Sequence, residues 1–153
     1  MIGSSPTPAQ ENLAGELVER FVALYEELDH RRLYRLGELY HPQACFIDPL
    51  HRVEGLDNLT LYFEGLYRNL KQCRITVHDQ ILTENQAALY WTMEIEHSRL
   101  NGGRCVRLDG HSHLKFGSLI HYHRDYFDAG QMLYEQLPLL GTLVKAVKKK
   151  AAP

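Results

Sequence analysis

Cysteine is scarce in this chain and arranged without pattern. The three residues, Cys45, Cys73 and Cys105, are odd in number and far apart, which excludes both the disulfide framework of a small secreted domain and a Cys-x-x-Cys metal knuckle. Reduced thiols and a cytoplasmic location are the expectation. No apolar run is long enough to span a bilayer, and the N-terminal residues lack a basic segment leading into an apolar one. Charge of one sign is lacking too: 17 Lys and Arg stand against 19 Asp and Glu, a formal net charge of -2. That balance offers no general attraction for nucleic acid, although Lys145, Lys148, Lys149 and Lys150 make a local basic end. Neither a nucleic-acid partner, a membrane nor a cofactor is expected, and there is no internal repeat or low-complexity linker.

What is present is ordinary globular material, 153 residues of which 44% are hydrophobic and 24% charged, enough for one domain with a real core. Residues 1–6 read as a disordered tail and residues 7–150 as the domain. Thr7-Pro8-Ala9-Gln10 has the form of a capping box with proline at the first helical position. Leu13, Leu17, Val18, Phe21, Leu24, Tyr25 and Leu28 then recur at helical spacing. Asp29 is placed to cap a second, shorter helix with Leu33, Leu36, Leu39 and Tyr40, stopped by His41-Pro42. A short strand, Ala44 to Ile47, ends at Asp48-Pro49, and a third amphipathic helix runs through Leu59, Tyr62, Phe63, Leu66 and Leu70. From there the period changes to two, giving strands near 74–82, 87–100 and 104–116 and a last strand near 118–128. A final helix from about Ala129 is interrupted by Pro138 and Gly141.

Asn101-Gly102 signals a two-residue hairpin, and Gly117-Ser118 a second. Counting from those turns gives one sheet face with the rows Ile95/Leu108/Phe127, Met93/Gly110/Asp125, Trp91/Ser112/His123 and Leu89/Leu114/His121. The face is apolar with a polar centre, and the missing side chain at Gly110, opposite Asp125, leaves a gap that a ligand could fill. The other face carries Glu96 across from Arg107, with Tyr122, Arg124 and Tyr126. Tyrosine and arginine are enriched in interface cores, so this outer face is expected to form a homodimer.

The last strand carries the chemistry. Alternation puts His121, His123 and Asp125 on the inner face, where imidazole and carboxylate can exchange protons with a bound molecule. The bland alternative is a polar core in which Asp125, His123 and Ser112 satisfy one another. A metal bound by His111, His113, His121 and His123 would need all four on one face, and the two-residue turn separates the pairs, so no metal site is expected. Phe46, Phe63, Trp91, Met93, Gly110, Ser112, Leu114 and His121 complete the expected ligand pocket, which suits a small apolar or aromatic molecule.

The order of helices, a short strand, a third helix and a long-stranded sheet resembles the nuclear transport factor 2-like, or SnoaL-like, superfamily. That resemblance implies an α+β fold, a cone-shaped antiparallel sheet wrapped around N-terminal helices. The segment His123-Arg124-Asp125-Tyr126-Phe127-Asp128 is similar to the last strand of limonene-epoxide hydrolases, Trp-Arg-Asp-Tyr-Phe-Asp, and the likeness implies a catalytic carboxylate at Asp125. Met93 and Ile95 stand where those hydrolases carry an Arg-x-Asp pair. Asp48-Pro49 resembles the strand exit of ketosteroid isomerases, whose Asp is the proton-shuttling base, while Phe21 and Ser112 stand where the isomerases carry their oxyanion-hole tyrosine and acid. The expectation is therefore a small-ligand pocket protein, an isomerase or hydrolase in which Asp48 or Asp125 is the base, His123 the orienting or acid group and Ser112 a donor. A non-catalytic binding or interaction module in the same cavity is the alternative.

Overall fold

The computed structural model describes residues 8–132 and 138–152. The expected tail, the Thr7 cap, and Leu133 and Leu137 of the C-terminal helix lie outside them. Helix α1 (Pro8–Glu27) buries Leu17, Val18, Phe21, Leu24 and Tyr25 along one stripe, which Leu28 continues, whereas Leu13 lies outside the stripe and is exposed. Asp29 Oδ1 accepts the backbone N–H groups of Arg31 and Arg32, and the turn it organises is a 3-10 helix, Leu33–Glu38, rather than an α-helix. Strand β1 (Tyr40–Ile47) starts earlier than expected and contains Pro42. Its pairing is irregular between Tyr40 and Cys45, where proline has no N–H to give the ladder. A three-residue strand β2 (Arg52–Glu54), too short to leave a periodic signal, precedes helix α2 (Leu56–Arg68).

Strands β3 (Leu70–Leu82), β4 (Gln86–His97), β5 (Cys105–Phe116) and β6 (Ile120–Phe127) follow, then a short helix α3 (Ala129–Met132) and helix α4 (Pro138–Ala151). The six strands form one sheet in the order β2-β1-β6-β5-β4-β3, antiparallel except for the parallel pair β1 and β6. The main core lies where α1, the 3-10 turn and α2 meet the sheet around Leu36, Leu59, Leu89, Leu114 and Ile120.

Both hairpin registers differ from the turn-based expectation, each by two residues. Ile95 pairs with Val106, Met93 with Leu108, Trp91 with Gly110 and Leu89 with Ser112. Asn101, Gly102 and Gly103 all take positive φ, so the connection closes as a 3-10 turn between longer strand ends rather than a two-residue loop. At the second hairpin Ser112 pairs with Asp125, Gly110 with Phe127 and Leu114 with His123. A shift of two keeps each side chain on its face. The exception is the start of β6: Phe116 pairs with Ile120 and Lys115 with Tyr122, leaving His121 as the extra residue of a bulge. Ile120 turns inward and is fully buried, while His121 is exposed. On the outer face Arg107 faces Glu94, and Glu96 faces Cys105.

Candidate active site

A cavity of about 290 Å³ lies between α1, α2 and the sheet. Phe21 and Tyr25 reach it from α1; Tyr62, Phe63 and Tyr67 from α2; Phe46 from β1 and Asp48 from the turn after it. The sheet contributes Trp91, Met93, Ser112, Asp125 and Phe127.

Behind the wall runs a continuous chain of hydrogen bonds. Trp91 Nε1 donates to Ser112 Oγ at 2.9 Å, and Ser112 Oγ donates to Asp125 Oδ1 at 2.5 Å. The same Oδ1 meets His123 Nε2 at 2.7 Å, and His123 Nδ1 meets the Tyr40 hydroxyl at 2.6 Å. Tyr40 in turn meets the Tyr25 hydroxyl at 2.6 Å. His123 has no solvent-exposed surface, while 18% of the Asp125 side chain is exposed. The chain thus starts and ends on the cavity, at Asp125 and Tyr25, with His123 and Tyr40 sealed between them. Burial first, and then the neighbouring hydroxyl and carboxylate, hold the Tyr25 phenol well above its ordinary pKa; burial does the same for Tyr40. Both remain O–H donors at neutral pH. With Asp125 ionised and the imidazole neutral, Nε2–H donates to Oδ1, Nδ1 accepts from Tyr40, and Tyr40 accepts from Tyr25. In that state every O–H and N–H of the chain points toward Asp125. Both protein bonds end on Oδ1, and Oδ2 has no hydrogen-bond partner among the described residues.

The second carboxylate is built from the turn that follows β1. Asp48 Oδ1 accepts the N–H groups of Leu50 and His51, both at 2.7 Å, and Oδ2 accepts the Tyr62 hydroxyl. The two N–H bonds make an Asx turn, so Asp48 shapes the strand exit as well as facing the cavity. Burial, followed by the bond to Asp48, raises the Tyr62 phenol.

The expected pocket residues divide. Asp48, Asp125, Ser112, Trp91, Met93, Phe46 and Phe63 line the cavity. His123 stands one layer behind it, Leu114 is sealed in the core, and His121 faces outward from the bulge. Gly110 also corrects the expectation, because the space it leaves is filled by protein. A Cβ there would lie 2.4 Å from Trp91 Cη2 and 2.7 Å from the Tyr126 carbonyl oxygen. The glycine lets the indole lie across the strand and reach Ser112. Gly110→Ala is expected to destabilise the fold by about 1–3 kcal/mol through overpacking and to change the emission of Trp91. Urea unfolding followed by fluorescence checks this, and a wild-type midpoint with unchanged emission would refute the packing argument.

Sequence reasoning missed Tyr25, Tyr40 and Tyr62, which it counted as apolar members of helical stripes. The signal was there, since a tyrosine on a buried stripe must find a partner for its hydroxyl. Cys73 and Tyr67, also on the cavity wall, were missed as a pair. Burial pushes the Cys73 thiol up to about 11 despite the adjacent Tyr67 hydroxyl. Because the thiolate is the reactive form, about one thiol in a thousand is ionised at pH 8, and reactivity grows with pH up to that value. Iodoacetamide at pH 8 is expected to label exposed Cys105 well before Cys73, with Cys73 labelling about tenfold faster for each pH unit gained. Equal rates at pH 8 by peptide mass spectrometry would contradict the burial of this thiol.

His111 and His113 lie on the outer face, away from His123, and among the described residues no three His, Cys, Asp or Glu side chains converge as a metal site would require. No helix of the described residues is long and apolar enough to cross a membrane.

The sequence profile of the SnoaL-like domain matches residues 18–118, from the middle of α1 through β5. The chain belongs to the SnoaL-like domain family. No curated protein matches it, but solved structures do. One is a nuclear transport factor 2-like protein of unknown function from Burkholderia pseudomallei, with TM-score 0.70 and 14% identity over 79% of this chain and 95% of that one. A protein from Jannaschia sp. assigned as a SnoaL-like polyketide cyclase aligns with TM-score 0.68 and 14% identity over 99% and 100% of the two chains. A third, from Catenulispora acidiphila, has a ketosteroid isomerase-like fold and was solved with trimethylamine; it aligns with TM-score 0.68 and 13% identity over 80% and 94%. At these identities the likeness concerns the fold, and the SnoaL-like cavity of this chain has to be read from its own residues.

Proposed function

We propose that this SnoaL-like protein binds a small apolar or aromatic molecule in the cavity and acts on it by general acid and base catalysis, as an isomerase or hydrolase. The observation that supports this most is the buried hydrogen-bonded chain Tyr25–Tyr40–His123–Asp125, whose two ends both lie on the cavity. Asp125 is the base, and its Oδ2 faces the ligand. Asp125 takes a proton from carbon or water on Oδ2 while Oδ1 keeps its bonds from Ser112 and His123, and it returns that proton to another atom of the same ligand, so the carboxylate is regenerated and no proton enters solvent. His123 orients the carboxylate, and the Tyr25 hydroxyl at the other end of the chain is placed to hydrogen-bond the ligand. Asp48, bound by Tyr62, is the second carboxylate within the same walls. Trp91, the single tryptophan, reports occupancy: saturable quenching of its emission by small aromatic compounds is the expected result, and no quenching by any of them would count against a ligand cavity.

One observation favours the non-catalytic alternative. Among the described residues no buried side-chain polar atom lacks a partner, so the chain is satisfied without a ligand, as a binding module would also require.

The outer sheet face is the proposed homodimer surface. His111 stacks on Tyr126 with centroids 4.6 Å apart, Arg124 lies 4.7 Å above the Tyr126 ring, and Tyr90 lies beside His111. Tyr90 and Tyr126 are 41% and 38% exposed. Light scattering is expected to give a dimer that the double variant Tyr122→Glu, Tyr126→Glu converts to a folded monomer, because like charges buried across a two-fold contact are costly. A wild-type monomer at high concentration would remove the idea.

A further inference from the structure

The charge balance of the cavity has no internal answer. Two carboxylates face it, Asp48 and Asp125, while its lining among the described residues contains no lysine or arginine and one histidine, His97. Residues 1–7, 133–137 and 153 include neither type, so none of them supplies a basic side chain. The donors that hold the two carboxylates are backbone N–H groups, a phenol, a serine and an imidazole. None of these is a fixed cation.

The walls are aromatic on both sides. Phe21 and Tyr25 stack with centroids 4.2 Å apart on the helix side, and Trp91 and Phe127 lie 6.2 Å apart on the sheet side. Ring faces carry negative electrostatic potential and attract cations, most strongly where water is excluded. A carboxylate in a low-dielectric cavity does the same. An anionic ligand such as a carboxylate or phosphate ester meets two like charges there, and among the described residues of the lining His97 is the one side chain that can carry positive charge to answer it.

We infer that the cavity selects a cationic ligand, a protonated or quaternary amine bearing an apolar group, with the ammonium beside Asp125 or Asp48 and its apolar part against Trp91 and the α1 rings. This rests on the reading of the cavity as a small-molecule site and narrows its ligand class. It also adds a consequence for chemistry: a cationic nitrogen near the reacting carbon stabilises the carbanion left when Asp125 removes a proton.

The test compares two probes of equal shape, benzyltrimethylammonium and its neutral isostere neopentylbenzene, by quenching of Trp91 in the full chain. The cation is expected to bind at least about tenfold more tightly, a difference in the range of one desolvated cation–π or ion-pair contact. Asp125→Asn and Asp48→Asn are each examined with both probes. At least one of them should weaken the cation about tenfold while leaving the neutral isostere unchanged, and the unchanged isostere shows that the variant is folded. If the isostere binds as tightly as the cation, or tighter, the charge selection is wrong and the apolar cavity stands. If both variants leave the preference for the cation intact, the carboxylates do not set it and the inference falls. If neither probe quenches Trp91, the inference and the small-molecule reading fall together.

Discussion

Asp125→Asn is expected to remove turnover while leaving the protein folded. The amide is nearly isosteric with the carboxylate, and its oxygen in the place of Oδ1 keeps the bonds from Ser112 and His123. The loss of a charged acceptor from those bonds costs about 1–2 kcal/mol, so the thermal midpoint moves by a few degrees only. The chemistry suffers more. An amide cannot take a proton from the ligand, and its N–H₂ turns toward the cavity where Oδ2 stood. Removal of a positioned general base lowers rates by about 10²–10⁴-fold. Thermal melts and turnover measured on the same preparation check both halves. A variant with full turnover would make Asp125 a structural residue and move the mechanism to Asp48.

His123→Ala is expected to have the largest effect on stability. The imidazole is fully buried and packed among rings, with centroids 4.9 Å from Phe46, 5.5 Å from Phe21 and 5.9 Å from Tyr25. Its removal leaves a void and also takes one hydrogen-bond partner from the Tyr40 hydroxyl and one from Asp125. The cavity and the broken buried pair together cost about 3–5 kcal/mol, a large fraction of the stability of a domain this size. Tyr25→Phe, which removes only the terminal hydroxyl of the same chain, should cost about 1 kcal/mol. Urea unfolding of the two variants checks the contrast. Equal, small losses would mean that the chain is a surface ornament of the core and not its polar spine.

The SnoaL-like architecture was legible because its signals are long: a helical stripe in α1, period-two patterning over four strands, and the Arg124 to Asp128 segment on the last of them. Face membership survived the misread hairpins because both registers moved by an even number of residues, so Trp91, Met93, Ser112 and Asp125 stayed on the inner face. Pairing partners did not survive. Three positive-φ residues at Asn101 to Gly103 build a longer turn than the Asn-Gly signal implies, and this replaces Met93 by Trp91 opposite Gly110, while the shift at the second hairpin replaces Asp125 by Phe127 on its other side. The bulge at His121 is a tertiary consequence of joining β6 to both β5 and the parallel strand β1, and no local pattern marks it. The tyrosine hydroxyls were hidden for a different reason. A stripe of apolar and aromatic residues specifies which face is buried, but the partner of each O–H depends on distant chain segments that meet only in the fold.

The proposed proton exchange between Asp125 and a small molecule held in the cavity is tested most directly by incubating the wild type and Asp125→Asn in D₂O with a panel of apolar enolisable ketones and epoxides, with and without an amine group. Trp91 emission reports which compounds occupy the cavity, and NMR follows deuterium uptake or ring opening. At least one compound that quenches Trp91 is expected to react with the wild type, and that reaction to fall at least about a hundredfold in Asp125→Asn. Compounds that saturate the cavity yet react no faster with the wild type than with Asp125→Asn would contradict it, and would leave a binding protein whose buried chain of hydrogen bonds serves the fold alone.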